Sequence, residues 1–176
     1  MTTPSSIPPV PPVSPATPER HVVLVHPEIH WNTGNIGRTC LGTGARLHLI
    51  KPLGFSLDDR MVRRAGLDYW HKVDPFLWDD FDGFCSRMEV PPDEMVLLSK
   101  SGRRCFREIP RQKRLFLVFG SETGGLPASV TDRYSPENTY HIPITAHIRS
   151  LNLSSAVAVV LYESLRFDLP SGFHAY

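Results

Sequence analysis

Asn32, Asn35 and Arg38 stand three residues apart in the stretch "NTGNIGRTCLGTG" (32–44), among four glycines. Two amides and a guanidinium at this spacing suit the holding of an oxyanion. Arginine presents a planar fork that grips a phosphate bidentately. A helix beginning beside it adds free N–H groups that favour anions. Taken alone, such an arginine reads as a solvated surface residue and the asparagines as helix caps. The glycines do not follow G-x-G-x-x-G, no acid follows the second strand ("LHLIKPLG", 47–54), and no G-K-[ST] occurs. A nicotinamide oxidoreductase and a Walker-type nucleotidase are therefore disfavoured.

Two further polar loops carry comparable signals. "FGSETGGLP" (119–127) ends an apolar run in Gly120, places Glu122 as an acceptor, and adds Gly124 and Gly125 before Pro127. Glycines there allow close approach of a ligand, although an ordinary strand-to-helix turn opened by proline reads the same way. "HIRSLNLSSA" (147–156) brings Arg149, Ser150, Asn152 and Ser154 ahead of an apolar helix. Asn152 or Ser154 suits the N-cap, and the polar run is longer than capping alone requires.

Positioning these loops requires strands that alternate with helices. "HVVLV" (21–25), "RLHLIKP" (46–52), "WHKVDPF" (70–76), "MVLLSKS" (95–101), "RLFLVFG" (114–120) and "TYHIPI" (139–144) read as strands. Helices are expected near 36–43, over 58–66, 79–88 and 126–134, and over 151–167, where the sequence is apolar almost all round at Val157–Leu161. Such alternation predicts an α/β fold with a mainly parallel sheet flanked by helices. Ligands of such sheets gather at the C-terminal strand ends. The loops 32–38, 120–127 and 145–152 then share one edge.

The 176 residues favour one domain, and a net charge of +1 gives no global basic field. Residues 1–20 hold 7 of the 17 prolines and read as a disordered, polyproline-like tail, with the ordered domain spanning 21–176. Cys40, Cys85 and Cys105 are widely spaced, which disfavours a disulfide framework or a zinc site and suits a cytoplasmic protein without a metal. No apolar run is long enough for a membrane span, and no secretory signal is expected.

Together the three loops resemble the motifs of the SPOUT superfamily of RNA methyltransferases. N-x-G-N-x-x-R (32–38), F-G-S-E-x-x-G-L-P (119–127) and I-P-I…R-S-L-N-L-S-x-A…Y-E (142–163) occur in the family's order, and the match covers about residues 21–167. "RRAGLDYW" (63–70) and "PLGFSLDD" (52–59) resemble the minimal, single-domain branch that 2′-O-methylates the wobble nucleotide, position 34, of tRNA. The resemblance implies a C-terminal trefoil knot, a homodimer with the active site near the subunit interface, S-adenosylmethionine as cofactor, and the anticodon stem-loop of tRNA as partner. It implies cofactor contacts at Leu98, at Gly120, Glu122, Gly125 and Leu126, and at Ile142, Ser150, Leu151 and Leu153. Arg38 is the implied catalytic arginine, with Asn32 and Asn35 holding it and its loop, and Tyr162 orienting the target nucleotide. Position 124 departs from the pattern: relatives carry a basic residue there and this chain carries glycine, so the cation's contact is lost or passes to Arg149 or Lys100. His26, His30 and His147 remain secondary. The rival readings are a ribosomal RNA 2′-O-methyltransferase and a non-catalytic RNA-binding protein of the same fold.

Overall fold

The computed structural model describes residues 18–57 and 69–167. The helix expected over 58–66 and most of the Pro-rich segment lie outside these residues.

Seven strands form one sheet: β1 (Glu19–Val25), β2 (Arg46–Ile50), β3 (Phe76–Trp78), β4 (Met95–Leu98), β5 (Arg104–Cys105), β6 (Arg114–Phe119) and β7 (Thr139–His141). Their spatial order is β3-β2-β1-β6-β4-β7-β5, and every pairing is parallel. The central strands β1, β6 and β4 are apolar runs because both sheet faces are covered. Side chains alternate along β1. Val22 and Leu24 join Leu47, Leu49, Leu115 and Leu117 on one face, beneath α1 (His30–Thr43) and α5 (Leu153–Leu165). Val23 and Val25 join Phe116, Val118, Met95 and Leu97 on the other, beneath α3 (Phe81–Met88) and α4 (Ala128–Thr131).

Several elements differ from the sequence reading. Strand β1 begins at Glu19, two residues early, because Arg20 is buried there. Its guanidinium donates to Ser164 Oγ and to the carbonyls of Ser164, Lys113 and Glu19. The glycine-rich stretch is no loop. Helix α1 takes in all of Asn32–Arg38, against the poor helix propensity of glycine. Packing overrides propensity: a Cβ at Gly37 would lie 2.8 Å from the Trp70 ring, so glycine there admits a neighbouring helix. That neighbour, α2 (Trp70–Val73), replaces the first half of the strand expected over 70–76. Asp74 then takes a positive φ before Pro75, and β3 starts at Phe76. Strand β7 stops at His141 rather than Ile144, two residues short of Pro143. The two-residue edge strand β5 was not anticipated, since Arg104–Cys105 has no apolar run to mark it.

Candidate active site

Parallel neighbours end together. Leu98 of β4 stands level with Phe119 of β6, while Leu98 also pairs with Tyr140 of β7. The chain therefore leaves three adjacent strands at Leu98, Gly120 and Ile142, side by side at one sheet edge. Ser99 N–H donates to the Tyr140 carbonyl at 2.9 Å and ties two of these exits.

After β6 the chain makes a tight loop closed by Ser121 and Gly125, whose backbones exchange bonds of 3.1 and 2.9 Å. A Cβ at Gly120 would lie 1.9 Å from the Gly125 carbonyl carbon, so only glycine lets the loop fold back on the strand end. Gly125 has a φ of +69° with open space where a side chain would stand. Leu126 is half-buried beside it. The result is a cradle of backbone rather than side chains, suited to a flat, polar-edged ligand. The following segment, Pro143–Ser150, is exposed throughout, and Leu151 and Leu153 become half-buried as α5 begins.

One amide relay joins helix α1 to the two polar loops. Asn32 Nδ2 donates to Glu122 Oε1 at 2.9 Å, and Asn152 Nδ2 donates to Asn32 Oδ1 at 2.9 Å. Asn152 Oδ1 in turn accepts from the backbone N–H of Ser154 at 2.9 Å and from its hydroxyl at 2.7 Å, which makes Asn152 the N-cap of α5. Glu122 Oε2 accepts from the Glu28 N–H at 2.8 Å. Glu28 answers with its own carboxylate, which accepts from the Thr123 hydroxyl at 2.7 Å and the Thr123 N–H at 3.2 Å. These bonds from Thr123 hold the Glu28 carboxyl below its ordinary value.

Two of the expected roles therefore change. Asn32 is buried and grips Glu122 and Asn152, not Arg38. Asn35 is exposed on α1, and its carbonyl accepts from Thr39. Arg38 lies one turn further along the exposed side, and it is Tyr69 that positions it. The guanidinium carbon stands 4.5 Å from the Tyr69 ring centroid, while the Tyr69 hydroxyl donates to the Gly34 carbonyl at 3.1 Å. Tyr69 thus bridges Arg38 to its own helix. Among the described residues Arg38 has no ion pair, so its fork remains available to an anion. Tyr162 is 51% exposed on α5, with no hydrogen bond or ring contact to Arg38 among the described residues. His26 takes a positive φ at the turn after β1, and His147 is exposed.

Sequence reasoning missed Glu28, Thr123 and Tyr69. Tyr69 falls in the segment 63–70 singled out above, yet no local pattern assigns it to Arg38. The described residues contain no cluster of three His, Cys, Asp or Glu able to hold a metal, and no helix long and apolar enough to cross a membrane.

Known proteins resemble this chain in sequence and in fold. A Listeria monocytogenes protein provisionally named a tRNA (cytidine(34)-2′-O)-methyltransferase is 49% identical, over 83% of this chain and 86% of its own. The tRNA (cytidine(34)-2′-O)-methyltransferase of Burkholderia pseudomallei is 45% identical, over 83% of this chain and 94% of its own. A solved structure reported under the subject of 2-OH methylation of C/U34 on tRNA superimposes with a TM-score of 0.73 at 42% identity, covering 84% of this chain and 95% of that one. Residues 19–162 match the SpoU rRNA Methylase family, and the chain belongs to that family of methyltransferases.

Proposed function

We propose that this protein methylates the ribose 2′-oxygen of the wobble nucleotide, cytidine or uridine 34, in tRNA, with S-adenosylmethionine as donor. The observation that carries the reading is near-full-length identity of 45–49% to relatives named for that reaction. The family's name points to ribosomal RNA, but this chain matches the tRNA enzymes over 86–94% of their length.

The residues present fit the cofactor. Leu98, Gly120, Gly125, Leu126, Ile142, Ser150, Leu151 and Leu153 would hold it, mainly through backbone N–H and C=O groups that can read the edge of an adenine. Glu122 would support that site by fixing the loop, since both its oxygens already accept bonds. S-adenosylmethionine supplies a methyl group made electrophilic by its sulfonium. The chain's own work is to bring the ribose hydroxyl into line and to ease loss of its proton. A guanidinium stays protonated in proteins, which disqualifies Arg38 as a base. Arg38 instead clamps the phosphate beside the target ribose and stabilises the developing oxyanion, while a phosphate oxygen or water accepts the proton. Tyr162 orients the target nucleotide.

The active form is a homodimer in this reading. Val159, on α5, and Phe167, just beyond it, are 41 and 62% exposed, apolar side chains suited to contact with a second copy. The trefoil knot expected from the resemblance and the cytoplasmic location expected from the cysteines belong to the same reading.

The test is methylation of tRNA transcripts by the purified protein, followed by nuclease digestion and mass mapping. Methyl transfer to the 2′-oxygen of nucleotide 34 is expected. Methylation of another nucleotide, or of ribosomal RNA fragments only, would overturn the assignment.

A further inference from the structure

Helix α1 carries an exposed aromatic residue that the relay does not use. Trp31 is 54% exposed, and His30 packs against it with ring centroids 4.3 Å apart. Trp31, Asn35 and Arg38 are spaced i, i+4, i+7, so they share one exposed side of the helix. The helix has no acidic residue. An indole on the same helix side as an amide and a guanidinium that has no ion pair among the described residues, with no carboxylate on the helix, is the composition of a nucleic acid surface. Aromatic rings stack on unpaired bases while the cation takes the phosphate. At 1.5 Å per residue, Trp31 and Arg38 lie roughly 10 Å apart along the axis, within one or two nucleotides of extended RNA.

We infer that Trp31 is a stacking platform for an unpaired nucleobase next to the nucleotide whose phosphate Arg38 holds. The inference rests on the proposed RNA substrate and adds a residue that positions it. His30 backs the indole and limits its rotamers, so little freedom is lost when the base arrives. A second copy of this chain is the other conceivable occupant. It fits less well, because Asn35 and Arg38 make this side of α1 polar.

The experiment uses the full-length protein and an anticodon stem-loop transcript. Trp78 is 3% exposed and Trp70 is half-buried, so the part of the acrylamide quenching that Trp31→Phe removes reads Trp31. The transcript should protect wild-type fluorescence from acrylamide. Trp31→Ala should raise KM for tRNA about five- to a hundredfold with kcat changed far less. Trp31→Phe should recover most of the loss, and binding of S-adenosylmethionine should not change. An unchanged KM in Trp31→Ala, or absence of protection in wild type, overturns the inference. A lower mass of Trp31→Ala in light scattering would also overturn it, by placing the indole in a subunit contact. If wild type methylates a nucleotide other than 34, the proposed function falls, while protection and KM on that RNA still decide the role of Trp31.

Discussion

The side-chain amide of Asn32 donates to the carboxylate of Glu122 at 2.9 Å, across 90 residues of sequence. Through Asn152 the same amide reaches the third loop. Asn32→Asp is therefore expected to be worse than Asn32→Ala. Alanine leaves the half-buried Glu122 Oε1 without its donor, a loss of about 1–3 kcal/mol. Aspartate also lacks the donor and sets a second carboxylate against the first, so it adds repulsion to the same loss. Thermal unfolding should rank wild type above Ala above Asp, and cofactor affinity should fall in the same order. An Asp variant as stable as wild type would show that the relay does not hold the loops.

The parallel sheet, its C-terminal edge and the clustering of the three loops were legible in the sequence, because apolar runs such as "RLFLVFG" and polar loops after them are local signals. The path of the first motif was not. Residues 32–38 read as a loop leading into a helix near 36, yet α1 is helical from His30, and Gly37 is required by the approach of Trp70 and not by backbone freedom. The partner of Arg38 was equally hidden. Tyr69 lies 31 residues on, and only the fold brings its ring under the guanidinium. Asn32 was found for its type and position, but its partners Glu122 and Asn152 are 90 and 120 residues away.

Replacing Gly120 by alanine should abolish the cradle. The new Cβ would stand 1.9–2.1 Å from the backbone of Gly125 and Leu126, where no side-chain rotation can relieve it. Overpacking costs about 1–3 kcal/mol and more where backbone must move. Calorimetry should show loss of S-adenosylmethionine binding, together with a lower unfolding temperature. Gly124→Ala is the control: its Cβ meets only the Ser121 hydroxyl, at 3.2 Å, and binding should persist.

A buried proton relay away from the site sets the pH range of stability. Trp78 Nε1–H can only donate, so His48 Nδ1 is the acceptor at 3.1 Å. His48 then carries its proton on Nε2 and donates to His21 Nδ1 at 2.8 Å, and His21 Nε2–H donates to Glu19 at 3.0 Å. Both imidazoles are neutral in this chain of bonds. Burial pushes both below their ordinary value, with Arg46 also opposing a charge, and the hydrogen bond from His21 draws Glu19 down. The unfolded chain therefore binds more protons once the pH drops below about 6.5. Stability should be full above that pH and should decline as pH falls towards the depressed folded values. A second loss below about 4.5 is expected from Glu19. Urea unfolding from pH 8 to 5 should show the first decline, and His21→Gln should reduce it, leaving the part that buried His48 contributes. A flat wild-type curve would rule out neutral imidazoles.

Arg38→Lys separates charge from shape. Lysine keeps the positive charge, so a role that is only electrostatic would survive. It lacks the planar fork that takes two phosphate oxygens and the flat face that lies over Tyr69 at 4.5 Å. Loss of a charge-assisted hydrogen bond costs about 1.5–3 kcal/mol, which is roughly ten- to a hundredfold in rate if the bond strengthens only in the transition state. The fold should be untouched, because Arg38 is exposed and the relay runs through Asn32 instead. Tyr69→Phe keeps the ring but loses the bond to Gly34, and should cost less than Arg38→Lys; Tyr69→Leu, which removes the aromatic face, should cost more than Tyr69→Phe. Single-turnover methyl transfer and calorimetry of S-adenosylmethionine binding read the two steps separately. Full methyl transfer by Arg38→Lys would refute the clamp. Equal loss of cofactor binding would move Arg38 from the RNA phosphate to the cofactor site.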